Sequence, residues 1–464
     1  MSAIIISAIW GVVMMFGGVF LKNSSSPKYW AISGVVILLI TNVLEFFGVK
    51  IFNIDTHGMV RFDNFTLIFN SVAFACTLLY FLLNGRDIEK VGNGNNISEY
   101  FALIFFVLCG VAISSSFQTL LMLFLGIEIM SIPLYILTGS DKRNLKSNEA
   151  SLKYFLMGAF STGIMLMGIA FLYGGNSLAS FYIDNLQLGS GSLPVMVAAG
   201  LVMLVVSMSF KVSAVPFHFW TPDVYDGAPT VFTSFMATIV KVAGFIAFIR
   251  LFQSSFGIMQ SQWQGLIVVI AAATLLVGNL TAVFQQSVKR MLAYSSIAQA
   301  GFMMLAIFAL NDAAKEGLIL YAAAYSLASI GLFAILTRMQ DYTIEGFNGL
   351  GQRQPVLALT ATVFLLSLTG IPLTAGFLAK FYMLMAALKN GHQLWLVIFA
   401  VLCAAISAYY YFKVIQAIYF KDPIENINHQ MDVNRRFEWL LIILSGLIIL
   451  LGILPGLLVD WLYY

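Results

Sequence analysis

Charge is what this chain has least of. Only 10% of its 464 residues are charged and 60% are hydrophobic, where a soluble domain carries about 25% charge. That leaves too little polar surface to coat a water-soluble body of this length, so the apolar excess must face lipid. Cysteine is nearly as scarce. Cys76, Cys109 and Cys403 each sit alone inside an apolar run, with no spacing for a disulfide, a metal or an iron–sulfur cluster. Glycine-rich phosphate loops and dinucleotide fingerprints are missing, which excludes an ATP-driven pump within this chain. The net charge of +3 is too small to suggest a nucleic-acid partner. A basic segment with a small-residue cleavage site is also lacking at the start, so Met1 to Leu21 reads as a retained first helix.

What is there is a series of solid apolar runs, such as Val195 to Val206 and Trp439 to Leu454. A transmembrane β-barrel would alternate apolar and polar residues within segments of about ten, so the fold class is an all-α polytopic membrane protein. Polar punctuation gives about fourteen transmembrane helices, near 2–21, 29–48, 65–84, 99–114, 117–138, 150–173, 193–215, 230–251, 263–286, 292–310, 314–338, 355–387, 394–420 and 437–459. The stretch 355–387 is too long for one straight crossing and holds Gly370, Pro372 and Gly376, so it reads as a span broken in the middle. Numbering the connections in order, and counting the span-end residues Arg338 and Lys315 with the connections they adjoin, the odd ones hold fourteen basic residues, beginning with Lys22, and the even ones four. Basic residues favour the cytoplasmic side, so odd connections are expected there and both termini on the other side. The polar stretch Asp422 to Arg436 then reads as a short cytoplasmic connection.

The informative residues are the charges left inside spans: Glu128, Lys153, Lys211, Lys241, Arg250, Lys380 and Lys413. Each ionised side chain at mid-bilayer costs about 2.5–3.5 kcal/mol on insertion scales. Arg250 and Glu45 lie near helix ends and are expected to reach the interface. For Lys413, snorkelling and function weigh evenly. His218, just past Pro216, reads as a polar residue at a helix break, with a proton-carrying role as the alternative. One carboxylate, Glu128, cannot neutralise several lysines. A desolvated ammonium without a counter-ion is driven toward its neutral form, so a row of such lysines can pass protons. Lys211 and Lys380 lie 169 residues apart, each near a proline. Paired broken helices in two halves of a chain point to an inverted repeat. Adding that offset to Glu128 reaches Ile297, beside Ser295, Ser296 and Gln299; no second carboxylate stands there, which favours one composite path over two independent ones.

The run Phe210 to Lys241, FKVSAVPFHFWTPDVYDGAPTVFTSFMATIVK, resembles the antiporter-like subunits of respiratory complex I, most closely subunit N of NADH-quinone oxidoreductase, the chain 2 family. GIEIMSIPLYIL around Glu128, EASLKY at 149–154, VKRMLAYSSIAQAGF at 288–302, LTGIPLTAGFLAKFY at 368–382 and YYYFKV at 409–414 follow in the same order. Subunit L carries a long lateral helix after its second repeat, and subunit M has glutamate where this chain has Lys380; both fit less well. The resemblance implies two inverted five-helix repeats with helices 7 and 12 broken, giving a segment 1–98 of three helices, repeats at 99–251 and 252–420, and a last helix at 421–464. It implies a proton relay of Glu128, Lys211, Lys241 and Lys380 with Lys153 as a further member, and leaves Lys413 and His218 as secondary candidates. NAD, FMN, iron–sulfur clusters and quinone are expected in other subunits of such a complex and no cofactor or metal in this chain. Its implied setting is a bacterial inner membrane. A multisubunit cation/proton antiporter shares the helical core and is the alternative.

Overall fold

The computed structural model describes residues 1–20, 26–91, 97–175, 180–186, 194–390, 393–423 and 433–464. Lys22 and most of the 422–436 connection lie outside the described residues. The helices are α1 (Ser2–Phe20), α2 (Ser26–Phe46), α3 (Asn64–Lys90), α4 (Ile97–Ser116), α5 (Leu120–Thr138), α6 (Leu145–Gly175), α7 (Val195–Lys211), α8 (Trp220–Gly227), α9 (Thr230–Phe235) and α10 (Lys241–Ser255). They continue as α11 (Gln260–Val283), α12 (Val288–Ala309), α13 (Asp312–Arg338), α14 (Leu350–Arg353), α15 (Pro355–Thr369), α16 (Ala375–Lys389), α17 (Leu394–Phe420), α18 (Arg435–Ile453) and α19 (Gly456–Val459). Among the described residues, β-structure is confined to isolated bridges. In lipid each backbone group must be satisfied within its own segment, and the helix does this.

Among the described residues, eleven helices are long and apolar enough to cross a membrane, the stretch Thr230–Ser255 counting as one. Ser2–Gly18, Val195–Lys211 and Pro355–Thr369 are shorter apolar helices. Polar caps start several of them: the side chains of Asp63, Thr119 and Ser287 accept from backbone N–H groups in the first turns of α3, α5 and α12, satisfying donors that the helix leaves open. The core is the apolar span of α13, wholly buried, flanked by α12 and the Thr230–Ser255 helix; α2 and α18 lie at the periphery. Packing is close where side chains are absent. A methyl group on Gly168 of α6 would stand 3.0 Å from the Gly200 carbonyl of α7, the small-residue contact that lets membrane helices approach.

Three helical paths are interrupted. The α7 helix ends at Lys211, and a non-helical stretch with Ser213 at φ 64° precedes α8. The α15 helix ends on Gly370 at φ 90°, and α16 begins five residues later. Between α9 and α10 the backbone forms a π-helical turn, Met236–Val240, directly before Lys241. Such turns cluster at functional sites because they rotate the next residue off the helical register.

Candidate functional site

Each interruption carries one of the intramembrane lysines. Glu128 stands mid-way along α5, where its Oε1 accepts from Thr162 Oγ1 of α6 at 2.7 Å. Lys211, the last residue of α7, donates from Nζ to Ser131 Oγ at 3.0 Å. Ser131 is three residues after Glu128, so both lie on one face of α5. Glu128 and Lys211 therefore face a common space without a direct ion pair, and the carboxylate acts on the ammonium through space.

Lys241 is 2% exposed. Its ammonium donates to the Ser296 carbonyl at 3.1 Å and to Ser296 Oγ at 2.7 Å, and lies 5.5 Å from the centre of the Tyr225 ring. Lys380, on α16, reaches back across the helix break. It donates to the carbonyls of Leu368 and Thr369 at 2.8 and 2.9 Å, which α15 leaves open at its C-terminus. The negative end of that helix suits a cation. The face of Phe302 lies 4.8 Å away. A small cavity of about 10 Å³ beside Lys380 is lined by Gln299, Tyr321, Tyr325 and Ser367.

Uncharged groups of α12 join the last two lysines. Ser296 receives Lys241, and one turn on Gln299 Nε2 donates to the Leu368 carbonyl at 2.9 Å, the same oxygen that receives Lys380. Tyr321 donates to Gln299 Oε1, and Ser295 bonds the Tyr411 hydroxyl. Thus Ser295, Ser296 and Gln299, noticed in the sequence only because no acid stands there, are the polar bridge of the second half.

Lys153 lies apart from this row. It is half-exposed and pairs with Glu149 at 2.7 Å and Asp223 at 3.1 Å. Arg290 holds the other oxygen of Asp223 at 3.2 Å, and the four residues line an open pocket with Lys146 and Asp226. His218 is buried in the break after α7, its ring 4.6 Å from Phe219 and its Nδ1 without a hydrogen bond among the described residues. Lys413 is half-buried on the outer side of α17, in a groove with Tyr409, Phe412 and Gln416.

Residues 117–407 match the family described as NADH:quinone oxidoreductase/Mrp antiporter, TM. NADH-quinone oxidoreductase subunit N of Cytophaga hutchinsonii is 38% identical, with 99% of both chains covered. The protein of the same name from Flavobacterium johnsoniae is 37% identical over 92% of this chain and 94% of its own length. The chain belongs to the NADH:quinone oxidoreductase/Mrp antiporter family. Among solved structures, respiratory complex I from Thermus thermophilus contains a chain 30% identical, with TM-score 0.84 and 99% and 98% of the two chains covered. A chain of the Mrp complex from Dietzia sp. matches with TM-score 0.84 at 19% identity over 99% and 96% of the two chains, a likeness of fold alone. The family segment contains Glu128, Lys153, Lys211, His218, Lys241 and Lys380; Lys413 lies just beyond it.

Several functional-looking charges of this family member escape sequence reading. Arg250 is 6% exposed and ties three segments together near their ends. Its guanidinium donates to the Phe117 carbonyl at 2.9 Å, to Thr66 Oγ1 at 2.9 Å and to the Arg61 carbonyl at 3.2 Å, and pairs with Asp63 at 3.2 Å. The Asp63 carboxyl, outside the spans, is subject to burial that raises its pKa, but the Arg250 charge and two bonds from Thr66 win and hold it below the usual carboxylate range. Glu45 likewise has a fixed partner, the amino terminus of Met1. Lys289, read as part of a cytoplasmic connection, is buried and donates to the carbonyls of Asp226 and Ala228 at 2.8 and 2.7 Å. Asp87 also proves buried within a helix, since α3 runs on to Lys90, and it pairs with Arg338 at 3.1 Å. Asp223 and Lys289 lie inside segments that carry the family resemblance and so had a sequence signal; Asp87 had none.

Proposed function

We propose that this chain is a proton-translocating, antiporter-like subunit of an NADH:quinone oxidoreductase complex in a bacterial inner membrane. Its partners are the other subunits of that complex, which hold NAD, FMN, iron–sulfur clusters and the quinone. Protons cross through Glu128, Lys211, Lys241 and Lys380, joined by the neutral groups of α12, with Lys153 at the open charged pocket as the entrance. Lys413 and His218 stand beside this path. The eleven long helices and three shorter apolar ones fit fourteen crossings, with both termini on the non-cytoplasmic side. Residues 99–251 and 252–420 form two inverted five-helix repeats, preceded by three helices and followed by one. The interruptions after Lys211 and before Lys380 support that division.

One observation carries this reading. Lys211, Lys241 and Lys380, each at a helix interruption, have neutral or backbone hydrogen-bond partners and no carboxylate within ion-pair distance among the described residues. A structural cation in low dielectric needs a fixed counter-ion, whereas a proton carrier must be able to release its charge. No flavin or cluster chemistry is required of this chain; energy arrives from membrane neighbours as a change of charge or position near Glu128.

Purification from the native membrane tests the reading. Flavin, iron and NADH oxidation should co-isolate with this chain, and its deletion should reduce NADH-driven proton uptake. A chain that isolates without redox subunits and supports sodium-dependent proton exchange would instead be a subunit of a multisubunit cation/proton antiporter.

A further inference from the structure

Tyr409, Lys413, Gln416 and Phe420 follow at intervals of four, three and four residues along α17, which puts them on one stripe of the helix. Tyr409 is 62% exposed and Phe420 82%. Lys413 has no hydrogen bond or ion pair among the described residues, and the groove around it opens outward from the protein. An ammonium and an amide on a lipid-facing stripe are costly in hydrocarbon.

Snorkelling does not relieve that cost well. Lys413 lies seven residues, about 10 Å, before the end of α17. Helical side chains lean toward the N-terminus of their helix, so the ammonium leans toward Tyr409, deeper into the membrane. A lipid headgroup would require the opposite direction. A side-chain carboxylate presented at membrane depth would meet the lysine where it points, while exposed aromatic rings such as Tyr409 and Phe412 supply the contact area typical of protein interfaces.

We propose that this stripe of α17 is an interface for a membrane helix of a neighbouring subunit, and that an aspartate or glutamate of that helix pairs with Lys413. The inference rests on the reading of the chain as a subunit of a membrane complex. Charge complementarity identifies the occupant as an acidic transmembrane helix.

The test uses the intact complex in native membranes, with Phe412 replaced by photoreactive p-benzoylphenylalanine. Illumination should cross-link it to another subunit, within about two helical turns of an aspartate or glutamate. Lys413→Glu should cause loss of assembled complex on native gels, Lys413→Arg should assemble normally, and an acid-to-lysine change in the cross-linked helix should rescue Lys413→Glu. Cross-links to phospholipid alone, or to this chain's own 421–436 connection, would overturn the interface, as would full assembly of Lys413→Glu. Co-isolation of NADH oxidation with the unaltered chain is scored separately, so a failed interface and a failed functional reading give different results.

Discussion

The Lys211 region and the Lys380 region solve the same problem differently. Both place an ammonium at the C-terminal end of a broken apolar helix. In the first, the lysine ends the helix before the break and points across to α5, where Ser131 receives it and Glu128 lies nearby. In the second, the lysine follows the break and folds back onto the Leu368 and Thr369 carbonyls. A full negative charge assists one lysine; only dipoles assist the other. The first can thus be tuned by moving a carboxylate, while the second answers to the backbone geometry of its break.

The largest expected effect falls on the second region. Lys380→Arg keeps the charge but cannot release a proton, so it should lower NADH-driven proton uptake about as much as Lys380→Ala, on the order of tenfold or more. Uptake in membranes, with assembly checked on native gels, measures this; full activity of the arginine variant would remove Lys380 from the path. Next comes Glu128→Gln, which should lower uptake several-fold at normal complex abundance, with Ser131→Ala lowering it less. Equal losses would mean that the carboxylate works through the hydroxyl and not through space. Gln299→Glu would make the second region resemble the first. A carboxylate there should hold the proton on Lys380 and slow turnover about twofold while assembly is unchanged; faster pumping would contradict the contrast between the regions.

The smallest effect lies outside both regions, at Asp63. Its folded-state pKa is depressed, so its contribution to stability is present above the ordinary carboxylate pKa of about 3.9 and is lost as pH falls through the folded value. Asp63→Asn should cost about 1–2 kcal/mol at neutral pH and flatten the acid limb of thermal stability against pH. An unchanged acid limb would mean that Arg250 is held by the carbonyls alone.

The membrane character, the approximate helix positions and the three lysines set within apolar helices were legible because each follows from a local cost: an apolar run must be in lipid, and a charge within it must have a reason. Partner identity was not legible, because it depends on residues far apart in the chain. Arg250 sits near a helix end in the sequence, and nothing local reveals that the Phe117 carbonyl and the Asp63 cap of α3 converge on it. Lys289 lies among basic residues of a connection, and only the fold turns the carbonyls of Asp226 and Ala228 toward it. The 355–387 break was visible through Gly370 and Pro372. The π-helical turn before Lys241 was not, since MATIV contains no residue that forbids an ordinary helix.

An ammonium carries three hydrogens and a neutral amine two. At Lys380 two of them are committed to Leu368 and Thr369, which leaves one uncommitted beside the small cavity that Gln299, Tyr321 and Tyr325 line. That third hydrogen can depart without breaking either backbone bond, and the lone pair it uncovers then points into the cavity as an acceptor. Lys241, with two hydrogens given to Ser296, has the same valence count. Loading and unloading each site thus exchanges a donor for an acceptor at a fixed position, with no rearrangement of the helix ends that hold the nitrogen in place.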